Sequence, residues 1–403
     1  MTVPTETRPE DLRHRMVDHI DAAGHLHSSG VEQALRTVPR HLFVPEASVE
    51  DAYANKAITT KPGGPGGKPA SCASVPTVVA MMLGQLDARP GDRVLEIGAG
   101  TGYNAALLAE LVGNTGQVTT IDLDPDVTER ARRALEETGY GRVHVVTGDG
   151  ALGNPDHARY ERIIVTVGPW DLPPAWLDQL VPGGRFVVPL HWRGQARSVA
   201  FTREQDILRA IDSQLCGFIP MIGDGQDGER TGYIDADVAL YWDRDQPIDV
   251  DMLQGILDQS RTTVWSGASV VPNESTDRIW LRLTGTEPGT CRFAAGPDAV
   301  ESGLCSPAFP YRSPAVVEEN SLAYLTLRGP EPDAAERRWE LGAIGHGPAA
   351  AQLAERLCEQ IRAWGRNRAE QPVITAYPAG VPVGKPASGQ VIAKQFTRLV
   401  VAY

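Results

Sequence analysis

Between Arg93 and Tyr103 the chain reads RVLEIGAGTGY: an apolar run, a carboxylate, then three glycines at every second position. Glycine lets the backbone turn tightly and approach a ligand that a Cβ would hold off. The pattern is Glu96-x-Gly98-x-Gly100-x-Gly102. It is not the G-x-G-x-x-G that seats a pyrophosphate on a helix N-terminus. A ligand less dependent on phosphate fits better, which favours S-adenosylmethionine over its main rival, NAD(P). The loop residues that could contact such a cofactor are Glu96, Gly98, Ala99, Gly100, Thr101, Gly102 and Tyr103. Glu96 would anchor a methionine amino group, directly or through water.

Two more acids stand at strand-like ends. Asp122, followed by Leu123, closes QVTTID, about 20 residues past the first loop glycines, where an acid chelates ribose hydroxyls. Asp149 follows RVHVVTG and precedes Gly150, where it could accept a hydrogen bond from the adenine amino group. One acid after a strand is commonly a helix N-cap. Three at consecutive strand ends are hard to obtain from packing alone.

These residues need a scaffold, and from Asp92 the sequence supplies one. Strand-like runs (RVLEIG, QVTTID, RVHVVTGD, ERIIVTVG, RFVVPL) alternate with helix-like ones (NAALLAELVG, PDVTERARRALEETG, PPAWLDQL). That alternation predicts a mostly parallel sheet, with ligands outside the carboxyl ends of its strands. Pro182-Gly183-Gly184 reads as a turn before the fifth strand. Residues 9–37 carry helical spacing around Gly24, and Pro76 suits the first turn of a helix over 76–87. Between them lies a glycine- and proline-rich loop, densest at 62–69. Past a linker at DGQDGERTG (224–232) the character changes to α+β, with a helix near 347–366 and strands near 371–377 and 390–402. Trp242, Trp265, Trp280 and Trp339 are expected to build that region's core.

The expected fold is α/β: a class I Rossmann-like S-adenosylmethionine methyltransferase domain, an N-terminal helical and loop extension, and a second α+β C-terminal domain. The expected divisions are 1–75, 76–225 and 226–403.

Composition narrows the partners. At 403 residues, two domains are the natural expectation, and 42% apolar with 22% charged content is ordinary for a globular chain. A net charge of −13 argues against nucleic acid or an anionic membrane as partner and permits a cationic peptide. The five cysteines (72, 216, 291, 305, 358) lack CxxC spacing, so neither a metal site nor a disulfide framework is expected. The N-terminus has no apolar signal region, so the protein reads as cytoplasmic.

Residues from about 30 to 191 resemble the protein-L-isoaspartate (D-aspartate) O-methyltransferases. The resemblance rests on VPRHLFVPE, AYANKAI, SVPTVVAMML, GDRVLEIGAGTGYNAALLAELVG, GDGALGNPDHARYERIIVT and LVPGGRFVVPL, in the family's order and spacing. It implies S-adenosylmethionine as methyl donor, S-adenosylhomocysteine as product and a carboxylate acceptor held by a serine of a T-x-S-x-P segment. Here that segment is Cys72-Ala73-Ser74-Val75-Pro76, so Ser74 matches while Cys72 replaces the threonine. Thr77 stands where the family often has an aromatic residue or histidine. The resemblance makes Ser74 the catalytic candidate and Ser71, Cys72, Val75 and Thr77 its substrate-side neighbours. His191, just after the fifth strand, is placed where it could reach substrate. Taken by itself, Ser74 before Pro76 also reads as a helix N-cap.

The chain continues well beyond the repair enzymes' usual length. In this it resembles an actinobacterial subgroup encoded with ribosomally made modified peptides (lanthipeptides, lasso peptides, graspetides). That resemblance implies methylation of an aspartate in a precursor peptide that is already macrocyclised. The ester then closes to an aspartimide. It further implies a monomer or weak dimer. The other readings are isoaspartyl repair with an appended domain, and an inactive peptide-binding protein of methyltransferase fold.

Overall fold

A computed structural model describes residues 8–63, 69–223, 226–330, 336–384, 386 and 388–403. Residues 64–68 of the expected loop and residues 224 and 225 of the expected linker lie outside them. The chain forms two compact units, Met1–Leu190 with Ala196–Asp224 and His191–Gln195 with Gly225–Tyr403.

In the first unit the order is α1 (Pro9–Ala22), α2 (Ser29–Thr37), α3 (Val49–Tyr53), β1 (Ile58–Lys61), β2 (Ser71–Ala73) and α4 (Pro76–Leu86). The alternating stretch follows: β3 (Arg93–Ile97), α5 (Tyr103–Val112), β4 (Gln117–Asp122), α6 (Pro125–Glu137), β5 (His144–Thr147), β6 (Tyr160–Val165) and α7 (Pro174–Gln179). It ends with β7 (Leu180–Trp192), β8 (Gln195–Glu204) and β9 (Ile207–Leu215). The strand order is β5-β4-β3-β6-β7-β8-β9. β5, β4, β3, β6 and β7 pair in parallel, while β8 and β9 pair antiparallel. The five parallel strands form the doubly wound sheet that the alternation predicts. β1 and β2 form a separate antiparallel hairpin, with Thr59 opposite Cys72.

Two local expectations change. The helical run over 9–37 is two helices, because Gly24 takes φ +74° and Ser28 caps α2 by accepting from Val31 N–H. The Pro182-Gly183-Gly184 segment lies inside β7 rather than ahead of it. Pairing with β6 begins at Tyr160↔Leu180 and resumes at Arg162↔Arg185, so the three residues form a bulge in which Gly183 has φ +74°. The N-terminal helices pack into the core of the first unit. Ile20, Val31, Leu35 and Phe43 share one apolar core with Leu83, Tyr103, Leu107 and Leu111. Helix α5 is therefore buried along most of its surface, only Glu110 being exposed, which explains why its sequence is mostly apolar.

The second unit adds β10 (Glu229–Asp235), β11 (Val238–Asp243), β12 (Arg261–Val270), α8 (Asp277–Thr286), β13 (Thr290–Ala295), α9 (Pro297–Glu301), β14 (Ser313–Glu318), β15 (Ser321–Arg328) and β16 (Trp339–His346). Then come α10 (Ala350–Arg366), β17 (Val373–Pro378), β18 (Gly389–Ala393) and β19 (Thr397–Ala402). Its main sheet runs β10-β11-β13-β14-β15-β16-β12 and is antiparallel throughout. Glu229–Gly232, expected in the linker, already belongs to β10. Trp242 and Trp280 are buried, whereas Trp265 and Trp339 are half-buried beneath the guanidinium groups of Arg328 and Arg337. Among the described residues no helix is long and apolar enough to cross a membrane.

Candidate active site

Parallel register brings the first acid and its partners together. Glu96 of β3 lies beside Thr120 of β4. Its carboxylate, fully buried, accepts from Thr120 Oγ1 at 2.6 Å and from Asn104 Nδ2 at 2.8 Å. Burial pushes the Glu96 carboxyl up to about 7, against the pull of those two donors toward the ionised form. Glu96 therefore sits behind the loop, one residue before the strand ends, rather than at the strand tip.

After Ile97 the backbone turns through three glycines with φ of +102° (Gly98), +51° (Gly100) and +83° (Gly102). Each value is one that side-chain-bearing residues seldom adopt. The loop is also tight: a Cβ on Gly98 would come within 2.6 Å of Thr166 Oγ1, and one on Gly102 within 3.2 Å of Ala131 O. Thr166 Oγ1 donates to Gly98 O at 2.7 Å and fixes that peptide. Asp122 closes the loop from β4, accepting from Gly100 N–H and from Asp124 N–H, each at 3.2 Å. Burial raises the Asp122 carboxyl, and those backbone donors pull it back. Ala99 is buried and Thr101 half-buried. Leu123 is 57% exposed beside Asp122, an apolar side chain left uncovered at the strand ends.

Thr147 of β5 pairs with Asp122, which places Asp149 two residues past that pair. Asp149 Oδ1 accepts from Ala151 N–H at 2.9 Å, so the side chain caps a short 3₁₀ turn. Gly150 is buried, and a Cβ there would lie 2.6 Å from Ile97 Cγ2. Glu96, the glycine loop, Asp122 and Gly150 are thus one linked cluster. Tyr103 departs from its expected role. Its ring is 97% buried, packs edge-on against Phe43 with centroids 5.7 Å apart, and lies under Arg40. At the first position of α5 the side chain points back toward the N-terminal helices, leaving only its backbone to the loop.

The segment bearing Ser74 faces the same loop: a Cβ on Gly100 would stand 3.9 Å from Cys72 O. Ser74 is half-buried, and its Oγ has no hydrogen-bond partner among the described residues. It is not the helix cap. Val75 occupies the cap position of α4 and makes no side-chain cap bond. Ser71 is buried, its Oγ accepting from Thr60 Oγ1 at 3.1 Å, and Val75 is half-buried. Burial raises the Cys72 thiol, opposed by the charge of Arg40, so at neutral pH it is a pocket-lining thiol rather than a thiolate. Thr77 donates through both N–H (3.2 Å) and Oγ1 (2.7 Å) to Asn55 Oδ1. His191 belongs to the second unit, where its carbonyl accepts from Lys394 Nζ at 2.7 Å.

Arg40 and Asn55 escaped the sequence reading although both lie in quoted motifs, VPRHLFVPE and AYANKAI. Arg40 is fully buried and donates from Nε to Ala52 O (2.9 Å) and from Nη2 to Ser74 O (2.8 Å). Asn104 and Thr120 were missed as well; Thr120 would have followed from the parallel register. Positive-φ glycines, a carboxylate gripping the loop amide and an exposed leucine beside it form a cradle that fits S-adenosylmethionine. A sulfonium-bound methyl electrophile is what that cofactor supplies.

The comparisons with known proteins agree with this geometry. The family profile "Protein-L-isoaspartate(D-aspartate) O-methyltransferase (PCMT)" matches residues 11–226. A protein-L-isoaspartate O-methyltransferase of Methanopyrus kandleri is 41% identical over 214 residues, covering 53% of this chain and 92% of its own. One from Hyperthermus butylicus is 39% identical over 225 residues, covering 53% and 90%. A solved structure named protein-L-isoaspartate O-methyltransferase shares the fold with TM-score 0.51 at 21% identity, over 96% of this chain and 98% of its own. The likeness in fold extends beyond residue 226, where the family profile ends, into the second unit. The chain belongs to the protein-L-isoaspartate(D-aspartate) O-methyltransferase family and is an S-adenosylmethionine-dependent carboxyl O-methyltransferase.

Proposed function

We propose that this enzyme methylates the free carboxylate of an isoaspartyl residue in a peptide or protein, with Ser74 holding the acceptor. The observation that carries the reading is the unpartnered Ser74 hydroxyl on a segment lying over the glycine loop. An acceptor carboxylate has an ordinary pKa of about 4 and is already ionised at neutral pH, so no general base is required. What the protein must supply is position and the exclusion of water. Ser74 Oγ donates to the carboxylate oxygen that does not attack, which sets the direction of the other. A neutral hydroxyl orients the nucleophile without withdrawing much of its charge. Ser71, Val75 and Thr77 shape the surroundings, and Asn55 fixes Thr77. The methyl ester product is then open to attack by the following backbone amide nitrogen, which loses its proton, breaks the acyl C–O bond, releases methanol and forms the five-membered imide.

A second reading keeps the same chemistry and changes the substrate: an ordinary aspartate in a ribosomally made, already macrocyclised precursor peptide, leading to an aspartimide. Cys72 in place of the usual threonine favours it, because that position lines the acceptor side. Chain length no longer separates the two readings, since a protein named as an isoaspartyl enzyme has a fold like both units. Methyl transfer to a linear isoaspartyl peptide and to its aspartyl isomer distinguishes them. Turnover confined to the isoaspartyl isomer supports repair. No turnover on either linear peptide, with the protein folded and binding S-adenosylmethionine, sinks the repair reading in favour of a constrained precursor. On whichever peptide turns over, Ser74→Ala is expected to lower kcat/KM by about tenfold to a hundredfold, the worth of one hydrogen bond to an anion. Its calorimetric affinity for S-adenosylmethionine should stay unchanged.

A further inference from the structure

Arg40 carries a charge that no described residue neutralises. Its side chain is fully buried, yet among the described residues no carboxylate hydrogen-bonds or ion-pairs with it. The partners are two backbone carbonyls, Ala52 O and Ser74 O, and the face of Tyr103, 4.9 Å from ring centroid to guanidinium carbon. Nη1 is buried with no hydrogen-bond partner among the described residues. The guanidinium reaches the acceptor-side segment directly, through the bond from Nη2 to Ser74 O. Burying a cation is costly unless an anion or a full set of acceptors compensates, and such groups are usually paired. An apolar side chain would fill the site without that cost. The arrangement is therefore a standing penalty within the folded chain, located one hydrogen bond from the residue that orients the nucleophile.

We propose that Arg40 is a positioning residue of the acceptor site, and that the missing counter-charge is the acceptor carboxylate itself. The inference rests on the carboxyl-acceptor reading given above. Arg40 has two separable actions. The bond from Nη2 fixes the Ser74 peptide relative to α3, so the hydroxyl is aimed before the acceptor arrives. The uncompensated positive charge makes an anionic acceptor bind better than a neutral one of the same shape. Lysine retains the charge but lacks the planar fork needed to reach two carbonyls at once, whereas methionine keeps bulk and loses both.

The test compares wild type, Arg40→Lys and Arg40→Met on an isoaspartyl peptide (KM and kcat) and on its carboxamide analogue (inhibition constant), with thermal midpoints alongside. In wild type the acid is expected to bind about tenfold or more tightly than the amide. Arg40→Met should bring that preference close to one, and Arg40→Lys should keep it while lowering kcat by about tenfold. The S-adenosylmethionine affinity of both variants should stay within about twofold of wild type. A merely structural arginine predicts something different: an unchanged acid-over-amide preference in every variant, with activity tracking the folded fraction. That result overturns the inference. If Arg40→Met does not fold, Arg40→Lys decides alone: retained preference with kcat lowered well beyond any loss of folded fraction supports the proposal, and kcat that only tracks the folded fraction rejects it. Failure of wild type to turn over any carboxyl peptide removes the underlying reading instead, so the two failures are distinguishable.

Discussion

Glu96 concentrates the conflict between burial and charge. Its carboxyl lies behind the glycine loop with no cation against it, held by Thr120 and Asn104. Burial raises it from the ordinary range of about 4.5 to about 7. A group raised on folding contributes stability that is fully present below its unfolded pKa and is lost as pH rises through its folded one. The free protein should therefore weaken between about pH 4.5 and pH 7, by on the order of 3 kcal/mol if Glu96 acted alone. Glu96→Gln should flatten that segment of the profile, as read from urea midpoints across pH. An unchanged slope would show that other groups govern it. The sequence showed that an acid belonged here, but not that its neighbours would engage both oxygens. Arg40 was harder to see, because an arginine in a mixed motif reads as a solvated one until the fold buries it.

At the scale of elements, local spacing and tertiary context divided the information. The strands and helices from 93 to 165 were legible because short apolar strand runs alternate with helical spacing, punctuated by glycine, proline or an acid. The bulge in β7 was not, since Pro182-Gly183-Gly184 spells a turn and only pairing with β6 absorbs it into a strand. The β1–β2 hairpin could not be read at all; its identity depends on distant partners. Lys61 is tied to Asp124 and, at 3.4 Å, to Asp126, while Arg130 of α6 reaches Glu46 Oε1 at 2.6 Å and Thr60 O at 3.3 Å. Asp124 also donates its N–H to Asp122, so the hairpin leading to Ser74 and the loop next to the cofactor cradle share an anchor. Lys61→Ala should speed amide exchange at residues 58–61 and 71–73 with little change in α4. It should also weaken S-adenosylmethionine binding modestly, through Asp124. Exchange unaltered in the hairpin would mean the ion pairs do not hold it.

For the whole molecule the deciding quantity is charge. A net −13 with no long basic run sets a negative field around a site whose own acceptor is an anion. Long-range repulsion then opposes the encounter that a local cation such as Arg40 rewards, and the two act over different distances. Salt separates them, because the Debye length is about 10 Å at 0.1 M and about 3 Å at 1 M, whereas a buried contact is screened far less. A peptide carrying lysines beside its acceptor residue should show a KM that rises with added salt as its attraction to the acidic surface is screened. An acidic peptide with the same acceptor should show a KM that falls, and the two should converge near 0.5 M while kcat stays constant for both. Measuring KM for the matched pair across that range checks this directly. If both peptides respond alike, the surface field does not select substrates, and discrimination rests wholly on the acceptor site around Ser74 and Arg40.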